Sequence, residues 1–389
     1  MQEPKKNDNT KSIVFKGSSG LARLGNSITI TDKILKESEL LFRQFKGKLY
    51  NTITINQKTH YSFLLKQNDE AYFINEYGNI LKINFQNGSI IEIKTLYNYL
   101  NNKKEGTDDI FYNPNLIFTY YEWDLKIYIS NGYEEGLMYR LDDDSLHILK
   151  LQQSVESTDA VSYYSFLPIK DLIFSYCSEY QFNKHTERFT NELRFIKLFN
   201  KDSFELSKHF KAIDNFFYAN LSYSKGYVFA INDHGIEEYK GKILKQSLDN
   251  YTHSFINAFE NSWVEDYKIL IDNTIICYSN YVLGENDSIL KIIDFNNNKV
   301  LFEIEFQEII RSFSLSENKR VLALLFNNGD VLLFNIKSNH LDQFRQFHYN
   351  DLIYTDYELS PNHIHSPIIF ELLANELIIG NRKWINIYR

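Results

Sequence analysis

Few residues in this chain have types and spacings that could do chemistry. His363-Ile364-His365 would set two imidazoles on one side of an extended segment, as some metal sites do. No Cys, Asp or third His adjoins the pair, and Pro361 and Pro367 mark the stretch as a loop, so it reads as polar surface. Asp142-Asp143-Asp144 lacks the Gly and distal Glu of a calcium loop and reads as a solvated turn. Lys184-His185-Thr186-Glu187-Arg188 reads as a charged loop tip. Cys177 and Cys277 sit inside the apolar runs DLIFSYC and NTIICYS, which implies two buried, reduced, inert thiols. There is no nucleophile elbow, phosphate-cradling glycine loop or zinc-protease helix. The expectation is therefore no catalytic residue, no metal and no cofactor. The 50 acidic residues still offer too many candidates to dismiss dispersed catalytic carboxylates.

What must position any site is a run of strands. Of 389 residues, 28 are Tyr and 30 are Phe, flat side chains that pack well on a pleated, half-buried surface. With 15 glycines and five prolines, the turns must be built largely from Asn, Asp, Ser and Lys. A net charge of −8 is the wrong sign for a general nucleic-acid binder, so no nucleic acid is expected. No stretch approaches the ~18–20 apolar residues that cross a bilayer, and MQEPKKNDNTK has no apolar signal core. A cytoplasmic protein that does not enter the membrane is expected.

A hairpin pattern recurs about seven times from residue 70 onward. Its second halves read LKINFQNGSIIEI, MYRLDDDSLHIL, FIKLFNKDSFEL, IEEYKGKILKQSL, LKIIDFNNNKVLFEI, VLLFNIKSNHLDQF and WINIYR. Alternation as in Leu81-Lys82-Ile83 sends every second side chain to one face, as a sheet requires. An apolar strand precedes each hairpin (AYFIN, LKIYIS, DLIFSYC, YVFAIN, NTIICYS, RVLALLF, ELIIG). A further strand lies upstream in YSFLLK, VSYYSFL, FFYANLSY and RSFSLS, which makes four strands per unit.

The polar anchors of the third strands, Asn84, Arg140, Lys197, Glu238, Asp294, Asn335 and Asn386, are 41–57 residues apart by successive difference. That matches four-stranded propeller blades of about 40–50 residues with loop insertions. The expected fold is all-β: a seven-bladed β-propeller of four-stranded antiparallel blades, residues 12–389 forming one domain and 1–11 a disordered tail. The last unit stops before a fourth strand. SIVFK (12–16), SITIT (27–31) or LYNTITI (49–55) can supply it and close the ring. An eight-bladed ring is the alternative if 12–55 form most of a blade.

IDF (293–295), FNI (334–336), INI (385–387) and INF (83–85) resemble degenerate forms of the Trp-Asp dipeptide of WD-repeat propellers. AYFINEYGNILKINFQNGSIIEIK (71–94) resembles a quinoprotein-type blade. The Gly-His of WD repeats and the terminal Trp of quinoprotein blades are absent from nearly every unit, so the resemblance implies the fold and no ligand.

Segments 94–114, 131–136, 178–190, 249–265, 280–288 and 345–366 read as long loops, and by register all emerge on one face. Loops on a rigid scaffold are where binding usually resides. Aromatic anchors there favour a protein partner, and the candidate binding residues are Tyr97, Tyr99, Tyr133, Tyr180, Phe182, Trp263, Tyr281 and Tyr349. The expected function is a non-enzymatic scaffold binding a protein. The alternatives are an inhibitor or immunity-type protein that neutralises a partner enzyme, and a hydrolase or lyase with its site in the central channel.

Overall fold

Strands buried on both faces carry unbroken apolar runs, whereas strands at a sheet's outer edge show only weak alternation, and both signatures recur through this chain. The computed structural model describes residues 12–15, 48–55, 61–67, 69–75, 79–95, 117–121, 126–130, 135–140, 146–150, 160–183, 185–186, 188–201, 203, 205–232, 236–271, 273–280, 287–316, 319–337, 340–349, 369–373, 376–380 and 384–389. His363 and His365, Asp142–Asp144 and the 1–11 tail lie outside them, as does SITIT.

Two strands open the chain, β1 (Ser12–Phe15) and β2 (Leu49–Thr54). The first four-stranded sheet follows: β3 (Tyr61–Gln67), β4 (Glu70–Asn75), β5 (Asn79–Asn84) and β6 (Ile90–Thr95). The second holds β7 (Ile117–Tyr121), β8 (Lys126–Ser130), β9 (Glu135–Arg140) and β10 (Leu146–Lys150). The third holds β11 (Ala160–Ile169), β12 (Leu172–Asn183), β13 (Arg188–Asn200) and β14 (Leu206–Lys211). The fourth holds β15 (Tyr218–Ser224), β16 (Tyr227–Asn232), β17 (Lys242–Ser247) and β18 (His253–Asn257). Next come β19 (Asp266–Ile269), β20 (Thr274–Asn280), β21 (Ser288–Asp294) and β22 (Lys299–Phe306), with β1 added parallel to β22 as a fifth strand. The sixth sheet is β23 (Ile310–Leu315), β24 (Val321–Phe326), β25 (Asp330–Lys337) and β26 (His340–His348). The last is β27 (Ile369–Leu372), β28 (Leu377–Gly380) and β29 (Trp384–Tyr388), completed by β2 against β29. The chain separates into two compact units, 59–239 with 244–254, and 1–58 with 240–243 and 255–389.

Burial follows sheet position. The second strands β20 (TIICYSN) and β24 (VLALLF) are buried almost residue for residue, which explains their continuous apolar runs. β22, the fourth strand of a sheet that β1 extends, alternates, and outer β14 and β18 are mostly exposed. In the 255–389 unit, Tyr278, Leu290, Phe302, Phe313, Leu324 and Phe334 join consecutive sheets through one apolar cluster, and Leu325, Leu333, Phe370 and Ile379 form a second.

The polar residue ending a third strand caps the turn that follows. Asn84 Oδ1 accepts from the Gln86 and Asn87 amides at 2.9 and 3.1 Å, and Asp294 Oδ1 accepts from Asn296 N at 2.8 Å. In the third sheet Asn200 plays this part, accepting from Ser203 N at 3.1 Å, while Lys197 is buried within the strand. Glu238 does not lie on a third strand: Glu237–Tyr239 is a 3-10 turn and β17 starts at Lys242. Gly241 (φ +63) follows, and any Cβ there would collide with the Phe259 carbonyl.

Among the proposed loops, 178–190 is instead the end of two long paired strands, and 249–265 contains the edge strand β18. β26 runs on to His348, β9 begins at Glu135 and β21 at Ser288, so the segments around 345, 131 and 280 are shorter than expected. LYNTITI supplies the strand paired with the end of the chain: Ile53 lies opposite Ile385, and Thr52 Oγ1 donates to Asn386 Oδ1 at 2.8 Å. The Arg389 guanidinium caps the join, 3.7 Å above the Tyr50 ring and 2.6 Å from Glu376. SIVFK pairs elsewhere, with β22.

Candidate functional site

The third sheet departs from the others in strand length. β12 and β13 have 12 and 13 residues, against six each in β4 and β5. β11 pairs with β12 as far as Ala160↔Tyr180, and the β14 register ends at Phe195↔Lys211. The β12–β13 ribbon runs on through Gln181↔Thr190 and Phe182↔Phe189 to Asn183↔Arg188. A bulge between Glu179 and Gln181 sits where the extension begins, and such an extra residue bends a strand and sharpens its twist. His185 and Thr186 at the tip are exposed.

Buried charge anchors the ribbon. Lys197 Nζ lies 2.7 Å from Glu179 Oε1, and both side chains are 0% exposed. Two ions taken out of water lose solvation that only good mutual geometry offsets, so either partner alone would be costly. Cys177 lies beside this pair. Burial pushes its thiol up to about 12, with Lys197 opposing and Glu179 adding to the shift. Cys177 and Cys277 are both free, buried thiols.

A second polar cluster sits where the ribbon leaves the sheet. Arg194 grips Glu192 with Nε at 2.9 Å and Nη2 at 3.1 Å, and Ser178 Oγ donates to Glu192 Oε1 at 2.6 Å. The Tyr180 hydroxyl donates to the same oxygen at 3.4 Å. Arg194 foremost, with Ser178 and Tyr180, holds the Glu192 carboxyl below its ordinary range against the opposing effect of burial. The Arg194 guanidinium also stacks 4.1 Å from the Phe217 ring centre.

A groove of about 430 Å³ opens at the foot of the ribbon. Its walls are the end of β14 with residues 212–215, the Glu238–Tyr239 turn, Gln246, Tyr251 and His253. The Ala212 amide donates to the Arg194 carbonyl at 2.9 Å, so one groove wall is tied directly to the ribbon base. The Tyr239 hydroxyl donates to the Asp214 carbonyl at 2.7 Å.

Of the predicted binding residues, Tyr180 and Phe182 share β12 and the ribbon, with Tyr180 half-buried. Trp263 is half-buried with Lys240 Nζ 5.8 Å from its ring, and it belongs to the other unit. Tyr349 is a correction: it is 1% exposed, takes part in the second apolar cluster, and its hydroxyl accepts from Trp384 Nε1 at 3.3 Å. The backbone forces this, because Tyr349 N donates to Gly329 O at 2.7 Å and draws the residue back onto the sheet. Tyr97, Tyr99, Tyr133 and Tyr281 lie outside the described residues. Sequence reasoning missed Glu179, Glu192 and Arg194, and took Lys197 only as a strand anchor rather than a buried ion-pair partner. Their signal was opposite charges set in the apolar runs DLIFSYCSEY and ELRFIKLF.

No family model matches the chain, and no curated protein matches it. Among solved structures it is similar to U3-55K, at TM-score 0.55 and 10% identity, over 87% of this chain and 98% of that one. It is also similar to Kluyveromyces lactis Hsv2 (TM-score 0.48, 9% identity, 87% and 98% covered) and to the computationally designed protein Ika8 (0.49, 9%, 86% and 98%). The U3-55K likeness, with its near-complete coverage, decides the fold. The fold is a β-propeller. In that fold each four-stranded antiparallel sheet is a blade, and the ribbon is an extension of one blade's second and third strands.

Proposed function

We propose that this β-propeller is a non-enzymatic scaffold that binds a partner protein through the ribbon formed by β12 and β13. The ring has seven blades of WD-repeat-like kind and residues 12–389 make one domain, with β2 joined to β29 as its closure. The observation that carries the binding role is the ribbon's run of three residue pairs past its flanking strands, on a base held by a buried ion pair. A two-stranded element already paired through its backbone is preorganised, so a partner can bind it at little cost in conformational entropy.

Replacement of 181–190 by a short Gly-Ser turn spares Glu179 and Lys197 and removes the projecting part. The wild-type chain should capture a stoichiometric partner from the lysate of its native cells, and the shortened chain should lose it. Retention of that partner by the shortened chain, or no partner with either, would refute the reading.

A second reading, a hydrolase or lyase, rests on a charged group carried by the first strands of three consecutive sheets. Lys268 Nζ lies 3.3 Å from Asp266 on β19, and Ser314 Oγ of β23 donates to Glu371 Oε2 of β27 at 3.2 Å. Burial, opposed by Lys268 and Ser314, holds the Glu371 carboxyl above its ordinary range, as an acid catalyst would need. On this reading Glu371→Gln abolishes a turnover found by substrate screening. On the scaffold reading it leaves partner capture intact.

A further inference from the structure

The groove at the ribbon's foot combines a cavity, aromatic walls and a rim where the Asp214 and Glu238 carboxylates stand beside Lys211 and His253. Its volume of about 430 Å³ falls in the range of sites that enclose small groups. Tyr239 is buried to 5% exposure and Gln246 to 2%, while Asp214 and Glu238 stand exposed at the mouth. Tyr251 lines the groove from the β17–β18 hairpin turn, where the bond from Ser247 N to Thr252 O at 2.9 Å accompanies its left-handed φ of +60. Its ring packs 4.3 Å from Phe210, and its buried hydroxyl has no hydrogen-bond partner among the described residues. Burial, with Glu238 and Asp214 adding negative potential, raises the Tyr239 phenol above its ordinary value. A group that completes this groove should therefore be cationic, flat enough to lie on tyrosine, and rich in hydrogen-bond donors.

We infer that the groove receives an arginine side chain of the partner protein, with the guanidinium between the Asp214 and Glu238 carboxylates and against the faces of Tyr239 and Tyr251. This rests on the scaffold reading and names the chemistry of its partner. Arginine fits better than lysine because its planar fork stacks on aromatic rings and bonds carboxylates in pairs. Lys211, 3.1 Å from Asp214 with both side chains highly exposed, and exposed Lys208, its Nζ 5.9 Å from the Tyr251 ring centre, are weak incumbents that an incoming guanidinium displaces. A net charge of −8 on the chain draws a basic partner toward it over longer range.

The test uses the full chain and two fluorescent Gly/Ala decapeptides, one with a central Arg and one with a central citrulline of the same shape and no charge, read by anisotropy. The arginine peptide should bind and the citrulline peptide should bind at least about tenfold more weakly, the loss expected for one charge-assisted contact. Glu238→Gln and Asp214→Asn should each weaken the arginine peptide by about three- to tenfold on the same grounds. Lys211→Gln should strengthen it. These residues are exposed, so melting curves should match wild type.

Equal affinity for both peptides, wild-type affinity in the Asp214→Asn/Glu238→Gln double variant, or no binding of the arginine peptide would overturn the inference. The 181–190 replacement separates the two claims. If the scaffold reading alone fails, no macromolecular partner is captured while the peptide still binds. If the groove inference alone fails, the partner is captured through the ribbon and the double variant changes nothing.

Discussion

Two sheets with the same strand order show what separates a blade with an apolar interior from one with charge buried inside it. In the sixth sheet β24 is VLALLF, fully buried, and β25 adds the buried Val331, Leu333 and Phe334. The third sheet also has a buried second and third strand, but there the burial includes Ser175, Ser178, Glu179 and Lys197. An apolar core tolerates many arrangements of similar volume, whereas a buried ion pair tolerates only the register that joins its partners. The third sheet gives up some apolar burial, and its strands run past their neighbours in one defined alignment. The sixth keeps its apolar burial, and β24 ends at Phe326, within the sheet.

The largest effect that would break this contrast comes from Lys197→Met. It strands the Glu179 carboxylate in the core and should cost about 3–5 kcal/mol in urea unfolding. The double variant Glu179→Leu/Lys197→Met should recover most of that loss, because no lone charge remains. An equally unstable double variant would mean the pair is not what holds the base. Leu324→Ala, the matching insult to the apolar sheet, should cost about 2–5 kcal/mol through lost burial and a cavity, while partner capture by the folded fraction is unchanged.

A smaller effect distinguishes the ribbon base by pH. Glu192 has a carboxyl held below its ordinary range in the folded state, so its contribution is present above the unfolded value and is lost as pH falls through the folded one. Unfolding curves taken from neutral pH down through the carboxylate range should steepen in this window for wild type, and Glu192→Gln should flatten them. The smallest effect is chemical. With thiols pushed up to about 12, Cys177 and Cys277 should both resist a thiol-disulfide reagent at pH 8 until the protein is unfolded. Fast labelling of native Cys177 alone would show that the third sheet opens locally.

Most of the strands were legible because inner strands carry long apolar runs and third strands end in turn-capping Asn or Asp, as at Asn84 and Asp294. Edge strands were less so. In β18, HSFIN, only Ile256 is fully buried, and a strand that packs on one side with most of its residues in water looks like a loop. The Glu237–Tyr239 turn shifted the reading of the fourth unit for a different reason: its apolar and acidic residues imitate strand alternation over too short a span to tell apart. The ribbon was hidden by its own tip, since the charges of 184–188 suggested a loop whereas Gln181–Asn183 and Arg188–Thr190 pair as strand. The aromatics predicted to bind divided for a physical reason. Tyr180 lies on a strand that pairs past its neighbours, and Tyr349, just after β26, donates its own amide to the Gly329 carbonyl and is drawn back to the core. The groove was not legible at all, because it joins residues from 211 to 253 that no local pattern relates.

The most direct test of the scaffold claim sets the two sheets against each other in one experiment. A photo-crosslinking residue is placed at exposed Gln181 on the ribbon in one variant and at exposed Gln346 on β26 in the other, and each is illuminated in cells that make the protein. One discrete crosslinked partner is expected from position 181 and none from 346. Crosslinking from 346 alone, or equally from both, would contradict the scaffold claim.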